Sequence, residues 1–265
     1  MFYDRGEKLK YVLLFGDGSF DNRNIRPDTK NFVPTFQSDN SLVPVSSFVT
    51  DDYFVMLDAG ESVYNGAIDL GIGRIPAQTT FEAETVINKI ENYYKPEALG
   101  NWRNIVCFIA DDEDGGLHMS DSEKLANQIK AAHSEFITDK IYFDSYLQQV
   151  NAGEEKYPDV TEAINKRVKE GVLILNYVGH ANERFMADEH VLDISDVSIW
   201  SNTNNLPIFV TATCELSRFD ADHLSISENV LFNSNCGGNG FFFDNPAVIC
   251  LFTFFFKIQF LPVCF

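Results

Sequence analysis

The sequence predicts an α/β fold: a mostly parallel sheet with helices on both faces. Short apolar runs recur along the chain, segments of helical period lie between them, and most runs stop abruptly at glycine or at a polar, potentially reactive residue. Alternation of that kind buries strands on both sides and puts their ends on a common edge.

In order, Lys10–Phe15 is an apolar run closed by Gly16-Asp17-Gly18, a strand and tight turn. Residues 21–50 are polar, rich in proline and asparagine and without sustained period, so a surface excursion is expected. Leu70–Pro76 (LGIGRIP) reads as a short strand. Thr79-x-x-Glu82 then fits a capping box, and Ala83, Val86, Ile87, Ile90 and Tyr94 share one helical face. Ile105–Ala110 is a buried strand that ends in Asp111-Asp112-Glu113-Asp114-Gly115-Gly116. Ser120-x-x-Glu123 opens the next expected helix, with Leu125, Ile129 and Ala132 on its inner face. Lys140–Phe143 is a strand; Val160, Ile164 and Val168 mark a third helix, ended by Gly171. Leu173–Asn182 is an apolar run that stops at Gly179-His180, Pro207–Glu215 is another that stops at Cys214, and Asn182–Asn205 between them is polar. Ser225-x-x-Glu228 opens a last helix.

From Phe241 to Phe265 the pattern changes. Only Asp244 and Lys257 are charged there, and phenylalanine dominates without period. Pro246, Lys257, Gln259 and Pro262 make it a poor membrane span. The expected division is therefore a domain over 1–240 and an aberrant tail over 241–265, the product of a shifted reading frame after about Gly238–Gly240. The opening residues lack a secretory leader's basic region and cleavage site. They run straight into a buried strand, as though the natural N-terminus lay upstream.

A net charge of −19 leaves no basic stripe to neutralise phosphates, which argues against a nucleic-acid partner. The five cysteines, Cys107, Cys214, Cys236, Cys250 and Cys264, show no metal-ligand spacing, and Cys–His chemistry requires no metal. Carboxylates near Asp51 and Asp52, and at Asp111 and Asp112, suit a structural calcium ion.

Chemistry concentrates at strand ends. His180 follows one apolar run and Cys214 the other; Asp17 and the Asp111–Asp114 loop follow two more. With parallel strands and right-handed crossovers these ends share one sheet edge, the usual place for α/β active sites. A cysteine closing a buried strand is more often packing than nucleophile, and a lone histidine says little. Their conjunction on neighbouring strands is what a Cys–His dyad needs, with histidine taking the thiol proton and a carboxylate orienting the ring. Of the other histidines His118 has the strongest claim, because its loop leaves the same edge.

The residues GHxN at Gly179–Asn182, followed by LPIFVTATCELSRFD, resemble the gingipain-type cysteine peptidases of the caspase-like clan. YVLLFGDGSFDNR, VTDDYF, GIGRIPA and IADDEDGG with His118 follow the same pattern, in the same order over about residues 3–238. The resemblance is closer to the sortases of the type IX secretion system than to the gingipains. It implies a caspase-like sheet, His180 as general base, Cys214 as nucleophile, and the backbone N–H groups of Ala181 and Cys214 as oxyanion donors. Glu113 and Asp114 compete for the acid that supports the histidine. Ala181 stands where most of the family has glycine, which is tolerable if φ is not positive. An aspartate for arginine preference has no clear counterpart near Met119.

The implied activity is a cysteine endopeptidase and transpeptidase that removes the C-terminal sorting domain from secreted cargo at the outer membrane and cell surface. Its implied partners are that cargo and other type IX components. A secreted protease that only hydrolyses, or an inactive truncated surface module, are the alternatives.

Overall fold

Apolar runs become paired strands in two separate places. The computed structural model describes residues 9–27, 31–38, 48–151, 154–235, 237, 238 and 240–243. These fall into two units, one drawn from Met1–Thr80 and Phe219–Asp222, the other from Phe81–Arg218 and His223–Asp244.

In the first unit, β1 (Tyr11–Phe15) is followed by the antiparallel pair β2 (Phe36–Gln37) and β3 (Val49–Thr50), and then by β4 (Gly71–Ile75). β1 and β4 form a parallel two-stranded sheet, with Val12 and Leu14 packed on Val55, Leu70 and Ile72. Arg74 locks the loops around it. Its Nε and Nη2 each lie 2.7 Å from one carboxylate oxygen of Asp51, and Nη1 donates to the carbonyls of Gly16 and Val33. Among the described residues β1 pairs only with β4, so Asp17 follows a strand of a different sheet from those ending at His180 and Cys214, contrary to the sequence expectation. Spacing within a sequence does not say which of two sheets a strand joins. Asp17 is instead buried and accepts a hydrogen bond from Gln78.

The second unit begins with α1 (Thr80–Tyr93), β5 (Ile105–Ala110), α2 (Glu113–Ala132) and β6 (Ile137–Tyr142). A hairpin of β7 (Gln149–Asn151) and β8 (Glu154–Lys156) leads to α3 (Pro158–Glu170) and β9 (Ile174–Val178). A second hairpin, β10 (Phe185–Met186) and β11 (Leu192–Asp193), precedes α4 (Ile194–Ile199), β12 (Ile208–Ala212), α5 (Ile226–Phe232) and β13 (Gly240–Phe243). The five long strands form one parallel sheet in the order β13-β12-β9-β5-β6. The chain goes from β5 outward to β6, returns to β9 on the other side of β5, and continues through β12 to β13. The direction therefore reverses between β5 and β9, the place where open α/β sheets leave a crevice.

One face of this sheet carries the main core. Cys107, Ile109, Leu175, Tyr177 and Phe209 alternate along β5, β9 and β12, and they pack with Val160, Ile164 and Val168 of α3, Val197 of α4, and Ile226 and Val230 of α5. The three α3 residues are fully buried, as their spacing predicts, and Gly171 ends the helix at φ 94°. Both halves of the capping box at Ser225 and Glu228 form. Strand β13 reaches three residues past the expected boundary at 240, pairing Phe241–Phe243 with β12. The shifted-frame expectation for the rest of the tail falls outside the described residues. No described helix is long and apolar enough to cross a membrane.

Three local expectations need correction. The buried face of α1 is Thr85, Val86, Lys89 and Tyr93, while Ile87, Ile90 and Tyr94 are exposed. Lys89 is drawn inward because its ammonium donates to the carbonyls of Val230 and Leu231, near the end of α5. Ser120 lies inside α2 rather than at its start, and Ser122 and Ala126 form its buried stripe. The polar stretch 182–205 contains a helix, α4, whose cap Asp193 accepts from the N–H groups of Ser195 and Asp196.

Candidate active site

Strand register sets the relation between His180 and Cys214. β9 and β12 are parallel with Ile174 opposite Ile208 and Val178 opposite Ala212. The ladder extends one step further, since Gly179 N–H donates to the Ala212 carbonyl at 3.3 Å. His180 and Cys214 each lie two residues beyond the last registered pair, on strands about 4.8 Å apart. They leave the sheet at the same level. Cys214 is exposed, and Glu215 after it adopts φ 52°, turning the chain sharply away. Cys107 is the contrast: it is fully buried within β5, and burial pushes its thiol far above the usual range. The segment after Cys214 is tied down by the Ser227 hydroxyl, which donates to the Leu216 carbonyl and meets the Ser217 hydroxyl, and by an Arg218–Glu183 ion pair.

His180 is held at three points. Its Nε2 lies 3.1 Å from Asp114 Oδ2 and 3.6 Å from Glu113 Oε2. Its N–H donates to Asp111 Oδ2 at 3.0 Å, and its carbonyl accepts from the Tyr177 phenol at 2.6 Å and from Ala187 N–H at 2.8 Å. A carboxylate facing Nε2 favours the proton on that nitrogen, which leaves the Nδ1 lone pair for proton transfer. Gly179 is required by close approach. A Cβ there would meet Asp111 Cβ at 2.4 Å and the Tyr177 phenol oxygen at 2.6 Å.

Asp114 reaches the histidine because α2 begins irregularly. Asp114, Gly115 and Gly116 take φ of 54°, 64° and 81°, so three successive left-handed residues precede the regular helix. Glycine carries two of those positions without steric cost, and aspartate tolerates the third. Of the two candidate acids, only Asp114 is within hydrogen-bond distance of the ring. Burial, then the nearby charge of Asp111, raises the Glu113 carboxyl above its ordinary value, so Glu113 holds its proton more readily. His118, one turn along, places Nε2 at 3.3 Å from the same Asp114 oxygen and meets His180 edge-on at 5.1 Å between ring centres.

Ala181 forms an isolated antiparallel bridge with Met186. The two hydrogen bonds of that bridge run from Ala187 to His180 and from Asn182 to Phe185, so the Ala181 N–H is not used in it. Ala181 is not among the residues with positive φ, which is why alanine fits where glycine was expected. Asn182 earns its place locally: its side-chain oxygen accepts from the N–H groups of Arg184 and Phe185, closing the turn into β10.

Next to the His180 backbone lies an acidic trio, two of its members buried and Asp112 half-buried. Asp111, Asp112 and Glu189 each present a carboxylate oxygen within 4.8 Å of the others. At that distance two ionised carboxylates repel by at least about 3 kcal/mol at an effective dielectric constant near 20. Burial, reinforced by the charges of Asp111 and Asp112, pushes Glu189 up to about 7. Glu189 was missed from sequence because a glutamate in a polar loop reads as solvated. Left-handed Ala187 and His190 flank it while it turns inward. Asp51 and Asp52 belong to no comparable group among the described residues, and Asp51 is committed to Arg74.

Comparisons with known proteins identify the family and the fold. The profile of peptidase family C25 matches residues 1–249. Among solved structures, the Arg-specific cysteine proteinase gingipain R (RgpB) superposes with a TM-score of 0.61 at 18% identity, covering 90% of this chain and 49% of that one. The complex of Porphyromonas gingivalis RgpB pro- and mature domains gives 0.59 at 18% identity, covering 89% and 49%. The chain thus spans about half the length of these structures, and at such identity they establish the caspase-like fold. No curated protein matches the chain.

Proposed function

The chain belongs to peptidase family C25, the gingipain family of cysteine peptidases, and from that premise we propose that Cys214 and His180 are its nucleophile and general base. The observation that carries the reading is the shared level of the β9 and β12 ends, with His180 oriented by Asp114. In this scheme His180 Nδ1 takes the thiol proton, and the Cys214 thiolate attacks the scissile carbonyl. The resulting oxyanion is met by the N–H groups of Ala181 and Cys214. The imidazolium then protonates the leaving amine, and Asp114 stabilises its charge. Water or an amine resolves the thioester.

The finer proposal is a sortase of the type IX secretion system at the cell surface, acting on secreted cargo with C-terminal sorting domains alongside other components of that system. It rests on the match of GHxN and LPIFVTATCELSRFD to that branch of the family. The fold likeness to gingipain R favours a second reading, hydrolysis without transfer.

Products distinguish the two. The chain is incubated with a polypeptide bearing a sorting domain and with a primary amine, and the new termini are identified by mass spectrometry. Cargo joined to the amine supports the sortase; a free carboxylate alone supports the protease. Identical product patterns from the parent chain and Cys214→Ala would remove the peptidase assignment of this dyad.

A further inference from the structure

We infer that Asp111, Asp112 and Glu189 form a calcium-class cation site, joined to His180 through the backbone bond to Asp111. One oxygen from each residue lies within 4.8 Å of the others. One calcium ion can reach an oxygen of each residue at its ordinary bond length, since ligands on opposite sides of it lie up to about 5 Å apart. The donors are all hard oxygens, which disfavours zinc or copper.

Two of those carboxylates have an oxygen with nothing to bind. Glu189 is 3% exposed, and its Oε2 has no hydrogen-bond partner among the described residues. The carboxylate is otherwise met by a 3.4 Å contact from Gln148 Nε2 to Oε1 and by its own backbone N–H. Asp112 Oδ1 is likewise buried without a partner, while Oδ2 accepts from the Tyr157 phenol at 2.7 Å. Asp111 Oδ2 accepts from the His180 N–H and, at 3.5 Å, faces the Tyr177 phenol, while Oδ1 accepts from Glu113 N–H at 3.3 Å and keeps a lone pair. Among the described residues no lysine or arginine forms an ion pair with any of the three. A buried unpaired acidic group must be neutralised by a proton or by a cation. A divalent cation does so for all three at once, through one oxygen of each.

The cation would join the end of β5 to the β10–β11 turn and, through Asp111, hold the backbone of His180. It would therefore brace the site rather than enter the chemistry, and the site stands independently of what the dyad does.

Terbium, a luminescent calcium analogue, tests this on the full 265-residue chain, because Tyr157 lies beside Asp112 and can sensitise it. Expected are saturable tyrosine-sensitised emission, its displacement by calcium, and a calcium-dependent rise in Tm of about 5 °C. Glu189→Gln and Asp112→Asn should each lower terbium affinity at least tenfold. No sensitised emission and no calcium effect on Tm would overturn the site in favour of a shared proton. Emission unchanged in whichever of the two variants folds would overturn it as well.

Discussion

Asp114 Oδ2 stands 3.1 Å from His180 Nε2, while the neighbouring Glu113 Oε2 stands at 3.6 Å. Two adjacent acids with equal claims in the sequence are separated by the left-handed turn Asp114–Gly116, which swings one of them onto the ring.

If Asp114 positions the imidazole, Asp114→Ala should lower kcat/KM by about 10²–10³. Glu113→Gln should change it by less than about fivefold. Parallel kinetics of the two variants check the ranking, and the reverse order would assign the role to Glu113.

Gly179 has no room for a side chain. Gly179→Ala forces a Cβ against Asp111 and the Tyr177 phenol. Overpacking of this kind costs about 1–3 kcal/mol, and the displaced Asp111 also loosens the His180 backbone. Urea unfolding should show the loss, and activity should fall with it.

Asp52 provides a pH signature outside the catalytic centre. It is 5% exposed, and burial raises its carboxyl from 3.8 to about 6. A carboxyl raised on folding binds more protons in the native state, so its stabilising contribution is present below about pH 4 and is lost as pH rises through 6. The upper bound is about 3 kcal/mol. Asp52→Asn should flatten stability between pH 4 and 6, as measured by urea midpoints.

Much of this was legible before the structure. Val160, Ile164 and Val168 follow the helical period with nothing to disturb it, and all three are fully buried. The capping box at Ser225 is local chemistry and forms as written. The runs ending at His180 and Cys214 are central parallel strands, which is why they are apolar on both faces. What failed depended on distant partners. Lys89 is buried because carbonyls 141 and 142 residues away accept its ammonium, and this rotates the face of α1. Asp17 follows a good strand that pairs in a different sheet. Glu189 is buried by a turn built on two left-handed non-glycine residues, a conformation that composition does not signal.

The central claim is that His180 activates Cys214, and alkylation of the thiols followed by mass spectrometry tests it most directly. At pH 6.5 an ordinary exposed thiol is mostly protonated and slow. Expected are rapid modification of Cys214, at least tenfold slower modification in His180→Ala, and no modification of Cys107 in the folded chain. Reactivity of Cys214 at the rate of a free thiol, unchanged in His180→Ala, would contradict it.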